Sequence, residues 1–154
     1  MRSSASAYGN LTLTVDGTWV HKYEYQDERG GAYTQNVARY AANNPVFRWK
    51  HNAALNWRLA SWSATLAQSY KSGYQDQNLD IENAFLNRVP SYSLWNLSGT
   101  YTGFTGLALT AGVKNLLDKE PPFSNQGTLF QKGYDPRYTD PVGRALYVRG
   151  SYTF

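Results

Sequence analysis

Apolar and polar positions alternate in long runs along this chain. In LTLTVDGTWVHKYEY, residues 11–25, the odd positions hold Leu11, Leu13, Val15, Gly17, Trp19, His21, Tyr23 and Tyr25. The even positions hold Thr12, Thr14, Asp16, Thr18, Val20, Lys22 and Glu24. Successive side chains of a strand point to opposite faces, so a period of two predicts a single strand over 11–25 with one apolar and one polar face. Such a strand is much longer than the roughly 5–6 residues of an ordinary one.

Five further segments repeat the pattern. VFRWKHNAALNW sets Phe47, Trp49, Ala53, Leu55 and Trp57 against Arg48, Lys50, Asn52, Asn56 and Arg58. WSATLAQSYKSGY sets Trp62, Ala64, Leu66, Tyr70 and Tyr74 against Ser63, Thr65, Ser69 and Lys71. YSLWNLSGTY carries Trp95, Leu97, Gly99 and Tyr101 on one side, and LALTAGVKNLL alternates Leu107, Leu109, Ala111 and Val113 with Ala108, Thr110, Gly112 and Lys114. In the closing GRALYVRGSYTF, Leu146, Val148, Gly150, Tyr152 and Phe154 share a face. Residues 27–45, 75–89 and 118–142 are polar and rich in turn formers, whereas 59–61 and 102–106 are tight turns. The expected fold is therefore all-β: an antiparallel meander of six long strands in one domain, with no helix. Loops of about 18, 15 and 24 residues gather at one end and short turns at the other. Outer-membrane barrels have this asymmetry.

Aromatic positions extend the expectation. Phe47 and Trp57 stand ten residues apart on one face, roughly 33 Å of strand. Tilted by about 40°, that spans about 25 Å, the height of a membrane barrel's apolar band. Trp62 and Tyr74 bracket the next strand in the same way. Tyr23 and Tyr25 fall at the long-loop end, and Trp57, Trp62, Tyr101, Tyr152 and Phe154 at the short-turn end, as two aromatic girdles would. The competing expectation is a soluble β-sandwich that binds carbohydrate through exposed aromatics.

Composition agrees with half-apolar strands. Of 154 residues, 16% are aromatic and only 17% charged, yet mean hydropathy is negative. No run of 18 apolar residues is present, so no membrane helix is expected. With no cysteine, disulfides and thiolate metal sites are excluded. The net charge of +4 is spread over single Lys and Arg residues without a cluster, which argues against nucleic acid. The start, MRSSASAYGN, has no apolar core of a signal peptide.

Candidate chemistry is sparse. His21 and His51 sit on or near the apolar face and read as interfacial side chains. DQNLDIE, residues 76–82, has the rhythm of a calcium loop, but Ile81 stands where glycine is needed and the distal Glu is missing, so a solvated loop is expected. No nucleophile has a base in a recognisable frame. No catalytic residue, metal site or cofactor is expected. Arg48, Lys50, Arg58, Lys71, Lys114 and Arg149 share the polar face and would line a lumen. Ligand contacts are expected from aromatic and basic loop residues: Tyr33, Tyr40, Phe85, Phe130, Tyr134 and Arg137.

The last 65 or so residues carry a specific resemblance. AGVKNLLDKEPP, with Asn115, Leu116, Leu117 and Asp118, is followed by a loop, by Gly143 and Arg144, and by a strand closing on Phe154. This resembles the C-terminal end of a TonB-dependent outer-membrane receptor. SYSLWNLSGTY is similar to the strand before it, where an Asp often stands at the position of Asn96. Alternation through Gly150 and Tyr152 to a terminal Phe154 also resembles the signal read by the barrel-assembly machinery. The resemblance implies a Gram-negative outer membrane and uptake of a nutrient such as a ferric siderophore. It also implies a 22-stranded barrel with a plug through which the TonB complex acts. Six strands, with neither a plug nor an energy-coupling box, predict a C-terminal portion that depends on lipid, on the remaining strands and on the plug.

Overall fold

The computed structural model describes residues 8–41, 44–77, 87–125 and 133–154. Six long strands form one antiparallel sheet: β1 (Asn10–Trp19), β2 (Trp49–Leu59), β3 (Trp62–Lys71), β4 (Tyr92–Phe104), β5 (Leu107–Lys114) and β6 (Ala145–Tyr152). They lie side by side in chain order, which is the expected meander. The sheet is not closed: among the described residues β1 and β6 each have a neighbour on one side only. None of the described residues is helical.

Register keeps like with like. Leu13 lies opposite Leu55, Leu55 opposite Leu66, Leu66 opposite Leu97, Leu97 opposite Val113, and Val113 opposite Leu146. One apolar row therefore crosses all six strands. On the other face the row of Thr12 runs through Asn56, Thr65 and Ser98. There the Thr65 hydroxyl donates to Asn56 Oδ1 at 2.8 Å, and Thr100 and Thr110 pair at 2.8 Å.

The apolar band drifts as it crosses the sheet. On β1 it reaches Trp19, level with Trp49; on β6 it stops at Leu146, in the row of Leu55, and continues past Tyr152 to Phe154. The upper limit thus moves from Trp49 to Leu55, roughly 20 Å along the strands against roughly 24 Å across five strand spacings, a slope of about 40°.

Several boundaries differ from the alternation. The first strand stops at Trp19 rather than Tyr25, because its partner begins only at Trp49. After a last bond from Val20 N–H to Arg48 O, the chain leaves the sheet, and Glu24–Tyr25 pair instead with Thr34–Gln35 inside the first long loop. Phe47 is not a strand aromatic: it packs edge-on to Tyr74 and Tyr138, with ring centroids 5.8 and 5.0 Å apart. Tyr74, 4% exposed, is also withdrawn from the sheet face. The upper aromatics of that face are instead Trp19 and Trp49, paired at 6.3 Å. At the other end β4 runs on to Phe104 through a register shift, so the turn is shorter than 102–106.

β5 ends at Lys114 because Asn115 adopts a left-handed backbone, φ 48°. Asn115 is 3% exposed. Its N–H donates to Asn96 Oδ1 at 2.9 Å, its side-chain amide donates to Lys119 O at 3.0 Å, and its Oδ1 accepts Lys119 N–H at 2.8 Å. Leu116 N–H donates to Trp95 O, while Leu117 is exposed. Asp118, also left-handed at φ 53°, accepts the Arg144 N–H at 2.7 Å. Gly143 has φ 74°, which a side chain would strain. Asn115, Leu116, Asp118, Gly143 and Arg144 thus clasp the base of the third long loop where β5 leaves and β6 begins.

Replacing Asn115 by Ala should destabilise the chain by roughly 2 kcal/mol or more, through lost hydrogen bonds and left-handed strain. Asn115→Gly should cost less, because it loses the same side-chain hydrogen bonds but tolerates the left-handed backbone. Urea unfolding of both variants in detergent checks the order; equal losses would show that the backbone conformation contributes nothing.

Candidate ligand-binding site

Burial among the described residues is concentrated above the sheet rather than within it. Val37, Tyr74 and Val89 are the buried loop hydrophobics, joined by Tyr92 at the first position of β4. Of the buried polar residues Asn36, Asp76, Asn115, Ser124 and Asp135, none lies in a long strand. The three long loops therefore pack on one another and roof the long-loop end of the polar face.

Two buried carboxylates organise this roof. Asp76 accepts Gln77 N–H at 2.9 Å and the Ser124 hydroxyl at 3.0 Å on Oδ1, and Asn87 Nδ2–H at 3.0 Å on Oδ2. The second and third loops are tied through it. Asp135, 1% exposed, accepts the Arg137 backbone N–H and Nε–H on Oδ1 at 3.0 Å each, and Nη2–H on Oδ2 at 2.6 Å. Those hydrogen bonds push the Arg137 guanidinium further above its ordinary value. Arg137 also donates to the Tyr40 hydroxyl at 3.4 Å and lies over the Tyr138 ring at 5.3 Å. Burial pushes the Tyr74 phenol from 10.0 up to about 12, opposed by its hydrogen bond with Ser124 and reinforced by Asp76 and Asp135. Asp76 thus serves as a hydrogen-bond hub, and residues 78–82 of the calcium-like segment lie outside the described residues.

Beneath the roof the polar face carries a basic row. Register places Lys50 opposite Lys71, and Lys71 opposite Tyr92. Like charges directly opposite oppose folding. Lys71 offsets this by donating to Tyr138 O at 2.7 Å; Lys50 is exposed and has no ion pair among the described residues. Tyr92 fixes the roof: its hydroxyl donates to Asp140 O at 3.1 Å and accepts Asp140 N–H at 3.2 Å. On either side of Lys71 open two clefts of about 210 and 220 Å³, one reaching Arg137 and Thr139 and the other Asp16 and Lys50. A site with two ammonium groups, a guanidinium and phenol rings suits an anionic or aromatic ligand. No three His, Asp or Glu side chains stand together to hold a metal among the described residues.

The structure brings together some of the expected contact residues. Tyr40 and Arg137 meet beside the cleft. Tyr134 is half-buried in the third loop, and Tyr33 stands exposed on the first. Phe85 and Phe130 lie outside the described residues. Alternation placed Lys50 and Lys71 on the polar face but not opposite each other. Nothing in sequence marked Tyr92 or Tyr138 as the roof's fasteners; the run DPRYTD, residues 135–140, is the only local hint, through an Asp two residues before an Arg.

No protein-family model and no curated protein matches the chain. Solved structures do. A mutant of the ferric enterobactin receptor PfeA from Pseudomonas aeruginosa shares its fold at a TM-score of 0.54 and 24% identity, over 70% of this chain. A second mutant of that receptor, in complex with enterobactin, gives 0.53 and 25% over 70%. The chain spans only 16% and 17% of those two proteins. The likeness is one of fold: an antiparallel, barrel-receptor type of sheet.

The raised Tyr74 phenol keeps its proton in the folded chain where the unfolded chain has already lost it. Its contribution is intact below pH 10 and lost as pH rises from about 10 to about 12. Near-ultraviolet circular dichroism of the chain in detergent should show the loops loosening over that window. In Tyr74→Phe that step should be reduced.

Proposed function

We propose that the chain is the C-terminal β-barrel portion of a TonB-dependent outer-membrane receptor for a nutrient complex such as a ferric siderophore, and that it contributes binding surface rather than catalysis. The observation that carries this reading is the exposed apolar band, tilted by about 40°, on a meander that shares its fold with a ferric enterobactin receptor. Membrane-barrel strands tilt by about 35–45°. The clasp from Asn115 to Arg144 and the close on Gly150, Tyr152 and Phe154 support the same family and the assembly signal. In this reading the chain forms a minority of the wall, works with further strands and a plug that engages the TonB complex, and does not transport alone.

The test is labelling with a lipid-soluble thiol reagent in outer membranes containing the complete receptor. Cysteines at Leu13, Leu55 and Val148 should react and those at Thr14, Asn56 and Arg149 should not. The reverse pattern, or a chain that stays monomeric in water without detergent, would favour the soluble sandwich. Energy-dependent uptake by cells making only these 154 residues would refute the claim of incompetence alone.

The basic row gives a second outcome. In the complete receptor, Lys50→Met with Lys71→Met should weaken binding of an anionic ferric complex by roughly tenfold, the worth of about one charge-assisted hydrogen bond. Equilibrium binding to cells reads this directly.

A further inference from the structure

The apolar face has one polar interruption, and it is continuous. His51, Gln68 and Ser93 lie on β2, β3 and β4, on the same face as Leu55, Leu66 and Leu97. Trp49 Nε1–H donates to His51 Nδ1 at 2.9 Å. His51 Nε2 pairs with Gln68 Oε1 at 3.1 Å, and Gln68 Nε2–H donates to Ser93 Oγ at 3.0 Å. Since the indole can only donate, His51 accepts at Nδ1 and donates from Nε2. Gly17 makes room for this line: a Cβ there would stand 2.6 Å from the Trp49 ring. The Tyr70 ring stacks on His51 at 5.1 Å.

The interruption lies near the upper edge of the drifting band, in the rows just below Trp19 and Trp49, with Gln68 level with Trp95. Its first members meet a cation: Arg48, which alternation assigned to the lumen side, precedes the strand and instead lies over the Trp19 ring at 5.9 Å, and Trp19 packs on Trp49. Arg48 spends one N–H on His21 O at 3.4 Å and faces no carboxylate within ion-pair distance among the described residues. The relay leaves the second Gln68 N–H, the Ser93 hydroxyl and the Tyr70 hydroxyl as donors. An arginine beside outward donors, bordering an apolar face, complements an anion attached to hydrocarbon.

We propose that this patch binds the phosphate-bearing headgroup of an anionic lipid at the outer edge of the membrane band. The proposal rests on the membrane reading given above. Charge complementarity at Arg48 and continuity with the apolar band select lipid as the occupant.

The test uses the full chain in neutral-detergent micelles doped with acyl-brominated phosphatidylglycerol or acyl-brominated phosphatidylcholine, read by quenching of tryptophan fluorescence. The anionic lipid should reach half-quenching at about five-fold lower mole fraction, the worth of one basic residue against an anionic lipid surface. Arg48→Gln should abolish the preference and Gln68→Leu should reduce it, whereas Arg29→Gln, the same charge change on an exposed loop, should leave it. Quenching by both lipids with no preference, or a preference unmoved by Arg48→Gln, would overturn the headgroup site and leave the membrane reading standing. No quenching by either lipid would overturn both.

Discussion

The sheet has no partner for its apolar face within the described chain. Leu146 and Val148 are 79% and 81% exposed, and Leu11 and Leu13 are 68% and 67% exposed. At about 25 cal/mol per Å² of apolar surface left in water, a face of this extent is incompatible with an isolated soluble sheet. A soluble sandwich would meet this by a second sheet packed about 10 Å away; here six strands lie in a single layer. The face must be covered by something other than the described residues. That requirement makes the loops, rather than the sheet, the place where the chain builds a core of its own.

That displaced core explains how the site is held. A one-layer sheet fixes its side chains by register alone, which suffices for Lys50 and Lys71 but not for anything above them. Asp76 and Asp135, each taking several hydrogen bonds in a buried setting, give the loops a defined geometry around the small apolar cluster of Phe47, Tyr74 and Val89. Buried carboxylates are costly unless their acceptor sites are filled. Both are filled by donors from their own or neighbouring loops, so the roof stays closed only while those loops stay docked. Tyr92 extends this order down to the strand.

Much of the sheet was legible because alternation reports faces directly: every strand of the meander and its apolar side follow from parity. What alternation does not report is where pairing stops. Tyr23, Tyr25, Phe47 and Tyr74 continue the rhythm, yet their segments lie beyond the six-stranded ladder; Phe47 and Tyr74 pack into the loops, while Tyr23 stays exposed. The Asn115–Asp118 and Gly143–Arg144 motif was recognisable by resemblance, but its physical content, two left-handed residues and a carboxylate capping a distant N–H, needed coordinates. The polar relay was hidden for a different reason. His51, Gln68 and Ser93 come from three strands, and only register brings them within reach of one another across diagonal positions.

The slope of the apolar band also constrains what can lie beside this sheet. The upper limit falls by about one residue per strand from β1 to β6, so the pattern is a ramp. A strand laid against the free edge of β1 must carry its apolar stretch about one residue nearer the long loops, and one against β6 about one residue nearer the short turns. A neighbour shifted by a single position in pairing would bring its polar side onto the apolar face. The ramp therefore acts as a gauge for mates: a candidate strand can be accepted or rejected by the offset of its apolar run before any contact is considered.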